Sequence, residues 1–281
     1  MRQLCYCKVN LGLQVLGTLE NGYHDLDMIM MPLDFYDVLD ITINDSGVTK
    51  FSSNFGGNRF ALDNSVLKAI ELFKEKYNIT DTYDVVLKKS VPSQAGLGGG
   101  SGDAAGALLL LKRMYQLPIP LDELMELGVK IGADVPYCLT KTMGRVAGIG
   151  EKIDSHSFRL NCYVVLVKPD KGVSTKQCFA LCDNAGDRHI NNELEYAVRL
   201  GDFKKTCALL NNSLEAPAMQ LVPEIREIKD QMKALGAQGV IMSGSGSTVI
   251  GLVKEKDKAY RIAKKMNAKH RFVRVTTFLN H

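Results

Sequence analysis

The sequence lacks the long apolar stretches of a membrane protein. It has no tryptophan, and aromatic residues make up only 7% of its 281 residues. No apolar run approaches the ~18 residues that a membrane-spanning helix needs. The N-terminal stretch is interrupted by Lys8 and Asn10, so it does not have the apolar core of a signal peptide. We therefore expect a soluble, cytoplasmic protein.

Cysteine pairs with a recognisable spacing are also missing. The chain has seven cysteines, an odd number, and they form neither the C-x-x-C pairs of a zinc site nor a disulfide framework. They are typical of reduced core residues. No cluster of carboxylates indicates a metal cage built by the chain itself, so we predict no protein-built metal site.

Charge of one sign is not concentrated anywhere in the sequence. The net charge is +4, and no basic tract indicates binding to nucleic acid or to an anionic membrane. With 46% hydrophobic and 23% charged residues, the composition is that of an ordinary globular protein. The length favours two domains, and local positive charge is still compatible with a phosphorylated small molecule.

Hydrophobic periodicity predicts two mixed halves of helices and strands. In the first half, three segments have the pattern of strands: CYCKVNLGLQVLG, VLDITI and YDVVLKKSV. A helix capped by Asn64 or Ser65 is predicted for NSVLKAIELFKEKYNI. In the second half, the strands NCYVVLVKP, GVIMSGSG with STVIGLV, and RFVRVTTF surround several helices, among them DFKKTCALLNNSLE. We place the boundary before NCYVVLVKP, which gives domains 1–157 and 158–281.

A glycine-rich segment stands between a predicted strand and a predicted helix. The stretch Ser90 to Met114, SVPSQAGLGGGSGDAAGALLLLKRM, has five glycines from Gly96 to Gly102. A flexible linker is one reading of it, but a helix N-terminus with free N–H groups also suits a phosphate chain. Neither the Walker pattern G-x-x-x-x-G-K-[ST] nor the dinucleotide pattern G-x-G-x-x-G is present.

Two further segments carry candidate chemistry. Lys8 and Asn10 are two residues apart on one predicted strand and therefore share a face. The second glycine loop, MSGSGSTVIG, is either a plain hairpin or a loop that flanks the same ligand as the first.

Taken together, these segments resemble the GHMP kinase superfamily. Its central signature is similar to VPSQAGLGGGSGDAAG. Five further segments occur in the family's order and extend the resemblance over nearly the whole chain: CKVNLGL, NGYHDL, LGVKIGADVPYC, GIGEKI and MSGSGSTVIGL. The resemblance implies an α+β fold of two domains, with mixed sheets, helices packed on them and the active site between the domains. It also implies an ATP-dependent kinase that phosphorylates a small alcohol and is a monomer or a weak homodimer.

The resemblance also implies roles for individual residues. Lys8 and Asp134 match the catalytic pair, and the cytosine of a CDP-linked polyol in isoprenoid biosynthesis is the implied ligand of the GYH motif. Residues implied in ATP binding are Asn64, Lys89, Pro92, Ala95, Gly96, Leu97, Gly98, Gly99, Gly100, Ser101, Gly102 and Asp103. Residues implied in binding the acceptor are Asn10, Tyr23, His24, Phe179, Gly244 and Ser245. ATP needs Mg²⁺, for which Ser101 and Asp103 are the nearest candidates.

Phosphoryl transfer depends mainly on positioning and charge neutralisation. Asp134 could accept the proton of the acceptor hydroxyl, and Lys8 could keep that carboxylate ionised. Each residue also has a structural reading, as a capping aspartate and as a strand lysine with an exposed amino group.

The chain departs from the family pattern at Cys7, Gly102 and Ser247. Two alternatives therefore stay open: a kinase for a different small alcohol, and a catalytically idle relative that binds nucleotide.

Overall fold

A computed structural model describes residues 1–20, 22–55, 64–182, 186 and 188–279. Its strands are β1 (Arg2–Thr18), β2 (His24–Asn44), β3 (Lys50–Ser53), β4 (Thr82–Lys88), β5 (Met143–Gly148), β6 (Lys152–His156), β7 (Tyr163–Lys168), β8 (Asn211–Asn212), β9 (Gly239–Met242), β10 (Val249–Val253) and β11 (Phe272–Thr277). Its helices are α1 (Ser65–Tyr77), α2 (Gly99–Met114), α3 (Leu121–Ile131), α4 (Val135–Thr140), α5 (Thr175–Ala180), α6 (Arg188–Leu200), α7 (Phe203–Leu209), α8 (Glu215–Leu221), α9 (Glu224–Ala234) and α10 (Lys256–Asn267). No helix among these residues is long and apolar enough to cross a membrane.

The chain forms two compact units that are interleaved in sequence. One consists of Met1–Cys7, Phe35–Ser93 and Gly98–Lys141, and the other of Lys8–Asp34, Gln94–Leu97 and Thr142–His281. Strands β1 and β2 each contribute residues to both units. This division follows contacts rather than sequence order, and the boundary between residues 157 and 158 stays a prediction.

The first unit packs helices against a sheet of β2, β3 and β4. Strand β4 pairs antiparallel with the second half of β2 and parallel with β3. Its residues alternate, with Val85 and Leu87 buried and Val86 exposed, as expected for a strand with one buried face. Phe73 of α1 and Leu108 of α2 are fully buried. They belong to the core that helices α1 to α4 build, in which α1 packs on α2.

The second unit contains a sheet in the order β11–β7–β10–β9. Strand β7 is buried from Val164 to Val167 without alternation, because both of its faces are covered. Helix α10 packs on β7 and β11, and α9 packs on β9 and β10. The first half of β2 pairs with β5, which pairs with β6, and β1 pairs in parallel with β8 at Gly12 and Leu13.

Most predicted elements are confirmed, but several short elements were not predicted, among them β3 and α4, and three longer segments also differ. Strand β2 begins at His24, well before VLDITI, because residues 28–33 are buried throughout and so lack the alternation on which the prediction depended. The β5–β6 hairpin was not predicted. The helix predicted for DFKKTCALLNNSLE was wrong after Leu209, since Asn211 and Asn212 pair with β1 instead.

The seven cysteines are free thiols, and five of them are buried, as predicted. Burial raises the pKa of Cys5 and Cys7 well above the usual value of a thiol. These groups are therefore protonated core residues at neutral pH.

Candidate active site

The first half of the glycine-rich loop packs against the second glycine loop within the second unit. The N–H of Thr248 donates to the carbonyl oxygen of Ala95 at 3.2 Å, and the hydroxyl of Ser243 donates to that of Gly96 at 2.9 Å. Gly96 has a φ of +72°, and a Cβ added there would lie 2.0 Å from the carbonyl oxygen of Ser243. The two glycine loops therefore contact each other, and only glycine fits at residue 96.

Strand β1 is attached to the same pair of loops. The N–H of Lys8 donates to the carbonyl oxygen of Leu97 at 2.9 Å, and the N–H of Asn10 donates to the hydroxyl of Ser243 at 3.2 Å. The Lys8 and Asn10 side chains share a face, as predicted, and the Lys8 amino group donates to Oδ1 of Asn10 at 2.9 Å. Both side chains are almost completely buried, and Nδ2 of Asn10 has no partner among the described residues.

The second half of the loop begins helix α2 in the first unit. Gly98 is the N-cap with a φ of +63° and no side-chain cap, and the first helical hydrogen bond runs from the N–H of Gly102 to the carbonyl of Gly98 at 2.8 Å. The N–H groups of Gly99, Gly100 and Ser101 precede that bond, so they are the free donors of a helix N-terminus. This is the arrangement that suits a phosphate chain.

Gly102 is explained by packing rather than by a ligand. A Cβ added at Gly102 would lie 2.6 Å from the carbonyl oxygen of Tyr6 in β1, and one added at Gly106 would lie 2.3 Å from Sγ of Cys5. Helix α2 thus lies close against strand β1 along this face. Glycine at this departure from the family pattern is therefore required by the close approach of β1.

Lys89 belongs to a buried ionic cluster with Asp37 and Asp103, all in the first unit. The Lys89 amino group donates to both carboxylates, to Asp103 at 2.6 Å, and Asp37 also accepts the N–H groups of Ser90 and Val91. Burial acts to lower the Lys89 pKa, but the charges of Asp103 and Asp37 outweigh it and raise that pKa. Burial also raises the pKa of Asp103 to about 7.

Asn64 and Pro92 belong to the same unit. Of the two predicted caps, Asn64 rather than Ser65 caps α1, with its Oδ1 accepting the N–H of Val66 at 2.8 Å. Pro92 is partly buried in the turn between β4 and the glycine loop. In that unit Asp134 occupies the N-cap position of α4 but makes no side-chain capping bond, so the capping role that was its structural alternative is not used.

The residues predicted to bind the acceptor lie in the second unit. The rings of His24 and Phe179 are in contact, with centroids 4.8 Å apart, although 155 residues separate them. Tyr23 is mostly exposed. In the second glycine loop, Gly244 is buried and the hydroxyl of Ser245 is hydrogen-bonded to that of Thr175 at 2.9 Å.

Several polar residues in these surroundings were missed by the sequence reasoning. Asp37 completes the Lys89 cluster, and Asp27 is buried in a bidentate ion pair with Arg145, at 2.9 and 3.0 Å. Nothing in their local sequence marks them, because an aspartate within an apolar strand has no periodic signal of its own. Within the described ranges, no group of three or more His, Cys, Asp or Glu is placed to hold a metal ion.

Comparison with known proteins identifies the class. Residues 64–142 match the GHMP kinases N terminal domain, and residues 194–271 match the GHMP kinases C terminal domain. The chain belongs to the GHMP kinase family, and it is an ATP-dependent phosphotransferase that acts on a small molecule. The resemblance inferred from the glycine loops and from the segments around Lys8 and Asp134 is thus confirmed.

Similar proteins point to one kind of GHMP kinase. A Bacillus pumilus (strain SAFR-032) protein named 4-diphosphocytidyl-2-C-methyl-D-erythritol kinase is 40% identical over 259 residues, which cover 91% of this chain and 89% of that protein. One of the same name from Clostridium novyi (strain NT) is 39% identical over 276 residues, covering 96% and 97%.

Solved structures have the same fold. The crystal structure of a 4-(cytidine 5'-diphospho)-2C-methyl-D-erythritol kinase matches with a TM-score of 0.82 and 29% identity, and covers 100% of both chains. The Methanococcus jannaschii mevalonate kinase matches with a TM-score of 0.76, covering 100% of this chain and 98% of that one, at 18% identity. The predicted mixed fold of helices and sheets is thereby confirmed.

Proposed function

We propose that the protein transfers the γ-phosphoryl group of ATP to the 2-hydroxyl of 4-diphosphocytidyl-2-C-methyl-D-erythritol, a step of isoprenoid biosynthesis. The observation that carries this proposal is the 40% identity, over 91% of the chain, to a kinase named for that substrate. The contact between His24 and Phe179 supports it, because aromatic rings beside each other offer a stacking surface for a nucleobase.

In this proposal the chemistry is carried out by Lys8 and Asp134. The Asp134 carboxylate accepts the proton of the acceptor hydroxyl as the oxygen attacks the γ-phosphorus. The Lys8 ammonium group stabilises the negative charge that develops on that oxygen. The two residues belong to different compact units, and their pairing is supported by the family resemblance.

The phosphates of ATP are held by the glycine-rich loop from Ala95 to Asp103. The free N–H groups at the start of α2 point toward an anion, and the dipole of the helix favours negative charge there. Mg²⁺ bound together with ATP would neutralise charge on the phosphates. Ser101 is the side chain nearest to this role, since the Asp103 carboxylate is buried in its ion pair with Lys89.

The cytosine of the acceptor stacks beside His24. Since the centroids of the His24 and Phe179 rings are only 4.8 Å apart, the base stacks on an outer face of the pair or parts the two rings. The exposed ring of Tyr23, next in sequence, lies over the base in this proposal.

A coupled ADP-release assay tests the substrate. The purified protein is offered 4-diphosphocytidyl-2-C-methyl-D-erythritol, mevalonate, homoserine and galactose in turn, and we expect turnover with the CDP-linked compound alone. Turnover of one of the others would replace the proposed acceptor. Stabilisation by ATP without turnover of any of the four would favour an idle relative that binds nucleotide.

The same assay tests the catalytic pair. Asp134→Asn and Lys8→Ala should each lower kcat by about 10²-fold or more, and the thermal midpoint of Asp134→Asn should stay near that of the wild type. Asp122→Asn, an exposed aspartate in α3, is the matched control and should keep full activity. Near-normal turnover in Asp134→Asn would remove that residue from the proposed mechanism.

A further inference from the structure

The second glycine loop is held by two side chains that no sequence pattern singled out. Both Nδ2 protons of Asn212 are used, one on the carbonyl oxygen of Met242 and one on that of Gly244, each at 2.8 Å. Oδ1 of Asn212 accepts the N–H of Leu214 at 2.9 Å, which fixes the orientation of the carboxamide. The two protons of one carboxamide thus bind carbonyl oxygens two residues apart, and no other side chain of this length offers two donors.

Glu215 holds the same segment from the next helix. Its Oε1 accepts the N–H of Met242 at 2.7 Å, and its Oε2 is paired with the amino group of Lys229. Lys229 is itself 9% exposed, so this ion pair is largely shielded from water. Asn212 and Glu215 therefore bind the carbonyl and the N–H of Met242 together.

The segment they hold leads directly to residues of the proposed acceptor site. A Cβ built on Gly244 would lie 3.5 Å from Oδ1 of Asn10, so the held carbonyl belongs to a residue beside the Lys8 and Asn10 pair. Asn212 is also attached to the strand that carries this pair, because β8 pairs with β1 at Leu13. One residue thus connects the position of β1 to the position of the loop.

We propose that Asn212 and Glu215 are positioning residues that fix the loop of residues 242–245 for binding of the acceptor. They contact neither ATP nor the acceptor. The inference rests on the proposed function, which assigns Gly244 and Ser245 to the acceptor. Loss of either anchor leaves backbone groups of the loop unpaired and lets the loop move, so the acceptor is bound less tightly.

The main variant is Asn212→Asp, which keeps the size of the side chain but replaces both donors with an oxygen facing two carbonyl oxygens. Asn211→Asp is the matched control, since Asn211 is the other residue of β8, and its carboxamide donates to Asn191 and Leu209 rather than to the loop. We expect the KM for the CDP-linked acceptor to rise about 10-fold or more in Asn212→Asp, which corresponds to about 1.4 kcal/mol. The KM for ATP should change much less, and both KM values should stay near wild type in Asn211→Asp.

A pair of variants at residue 215 covers the case in which Asn212→Asp does not fold. Glu215→Gln and Glu215→Ala both remove the charge that pairs with Lys229, but only the first keeps an oxygen for the N–H of Met242. The acceptor KM should therefore rise in Glu215→Ala and be largely restored in Glu215→Gln. If Glu215 has a purely structural role, Glu215→Gln and Glu215→Ala should change the thermal midpoint equally.

The outcomes separate this inference from the proposed function. If wild-type protein does not phosphorylate the CDP-linked acceptor, the proposed function fails. A second outcome is that the wild type phosphorylates this acceptor but the acceptor KM is the same in Asn212→Asp as in Asn211→Asp, or the same in Glu215→Gln as in Glu215→Ala. That result overturns the positioning role and leaves the proposed function in place.

Discussion

At the scale of single residues, the two glycine loops meet where there is no space for a side chain. Gly96 combines a φ of +72° with backbone contact to Ser243. Gly100, four residues later, has only Ser65 Oγ within reach of an added Cβ, at 3.6 Å. Glycine is therefore required at residue 96 by the fold itself, whereas the open space at Gly100 is compatible with a bound ligand.

Gly96→Ala should be strongly destabilising. Overpacking costs about 1–3 kcal/mol, and a left-handed backbone at a residue with a Cβ adds about 1–2 kcal/mol. The thermal midpoint, followed by circular dichroism, should fall by several degrees. Gly100→Ala is the control and should unfold at the wild-type temperature or above it, because the added methyl group meets no close atom. Equal midpoints for the two variants would contradict this account of Gly96.

The buried carboxyl of Asp103 makes stability depend on pH. Its pKa of about 7 in the folded protein lies above its usual value, so the folded state holds the proton more tightly than the unfolded state. That stabilisation is complete at acidic pH and is lost as the pH rises through about 7. Asp103→Asn cannot titrate. The free energy of unfolding is measured in urea at pH 5 and at pH 8. From pH 5 to pH 8 it should therefore fall more in the wild type than in Asp103→Asn.

A parallel pH dependence of the two proteins would show that Asp103 titrates normally. Asp122→Asn, which changes an exposed carboxylate, serves as the reference and should follow the wild type at both pH values.

At the scale of elements, helix α2 lies against strand β1 through Gly102 and Gly106. The built Cβ of Gly106 meets Sγ of Cys5 at 2.3 Å but Cβ of Cys5 only at 3.4 Å. The sulfur atom alone thus occupies the space that a methyl group would need. The position of the first turns of α2 therefore depends on this contact with β1.

Gly106→Ala should lower the free energy of unfolding by about 1–3 kcal/mol, despite the better helix propensity of alanine. Cys5→Ala should be destabilising by itself, since it leaves a cavity. In the double variant the new methyl group occupies the place of the lost sulfur, so the combined loss should be smaller than the sum of the single losses. Urea titrations of the four proteins measure the coupling, and additive losses would rule out the contact.

At the scale of the whole molecule, the chain passes between its two compact units several times. Strands β1 and β2 each contribute to both units, and Gln94–Leu97 of the glycine loop belongs to one unit while Gly98 begins the part in the other. A strand shared by two units cannot stay ordered in one when the other unfolds. The units are therefore expected to lose their structure together.

Unfolding in urea should give one transition. The protein has no tryptophan but ten tyrosines, so tyrosine fluorescence and far-UV circular dichroism are the two probes. Their midpoints should coincide. Two separated transitions would show that the units are energetically independent. A monomer or a weak homodimer is still our prediction for the assembly state.

The sequence by itself determined the local structure and the family. The helix after the glycine loop, the Asn64 cap and the shared face of Lys8 and Asn10 follow from spacing and residue type, because these features depend on neighbours along the chain. The order of the motifs predicted a GHMP kinase for the same reason, since each motif is a short run of residues.

Only the tertiary structure decided which distant residues meet. The contacts of His24 with Phe179, of Asp37 with Lys89 and of Asn212 with the second glycine loop join residues far apart in sequence. The interleaving of the two units could not be predicted either. The alternation of apolar and polar residues in a continuous strand is the same whether the strand belongs to one compact unit or to two. The contacts of the strand depend instead on which distant segments of the chain pack against it.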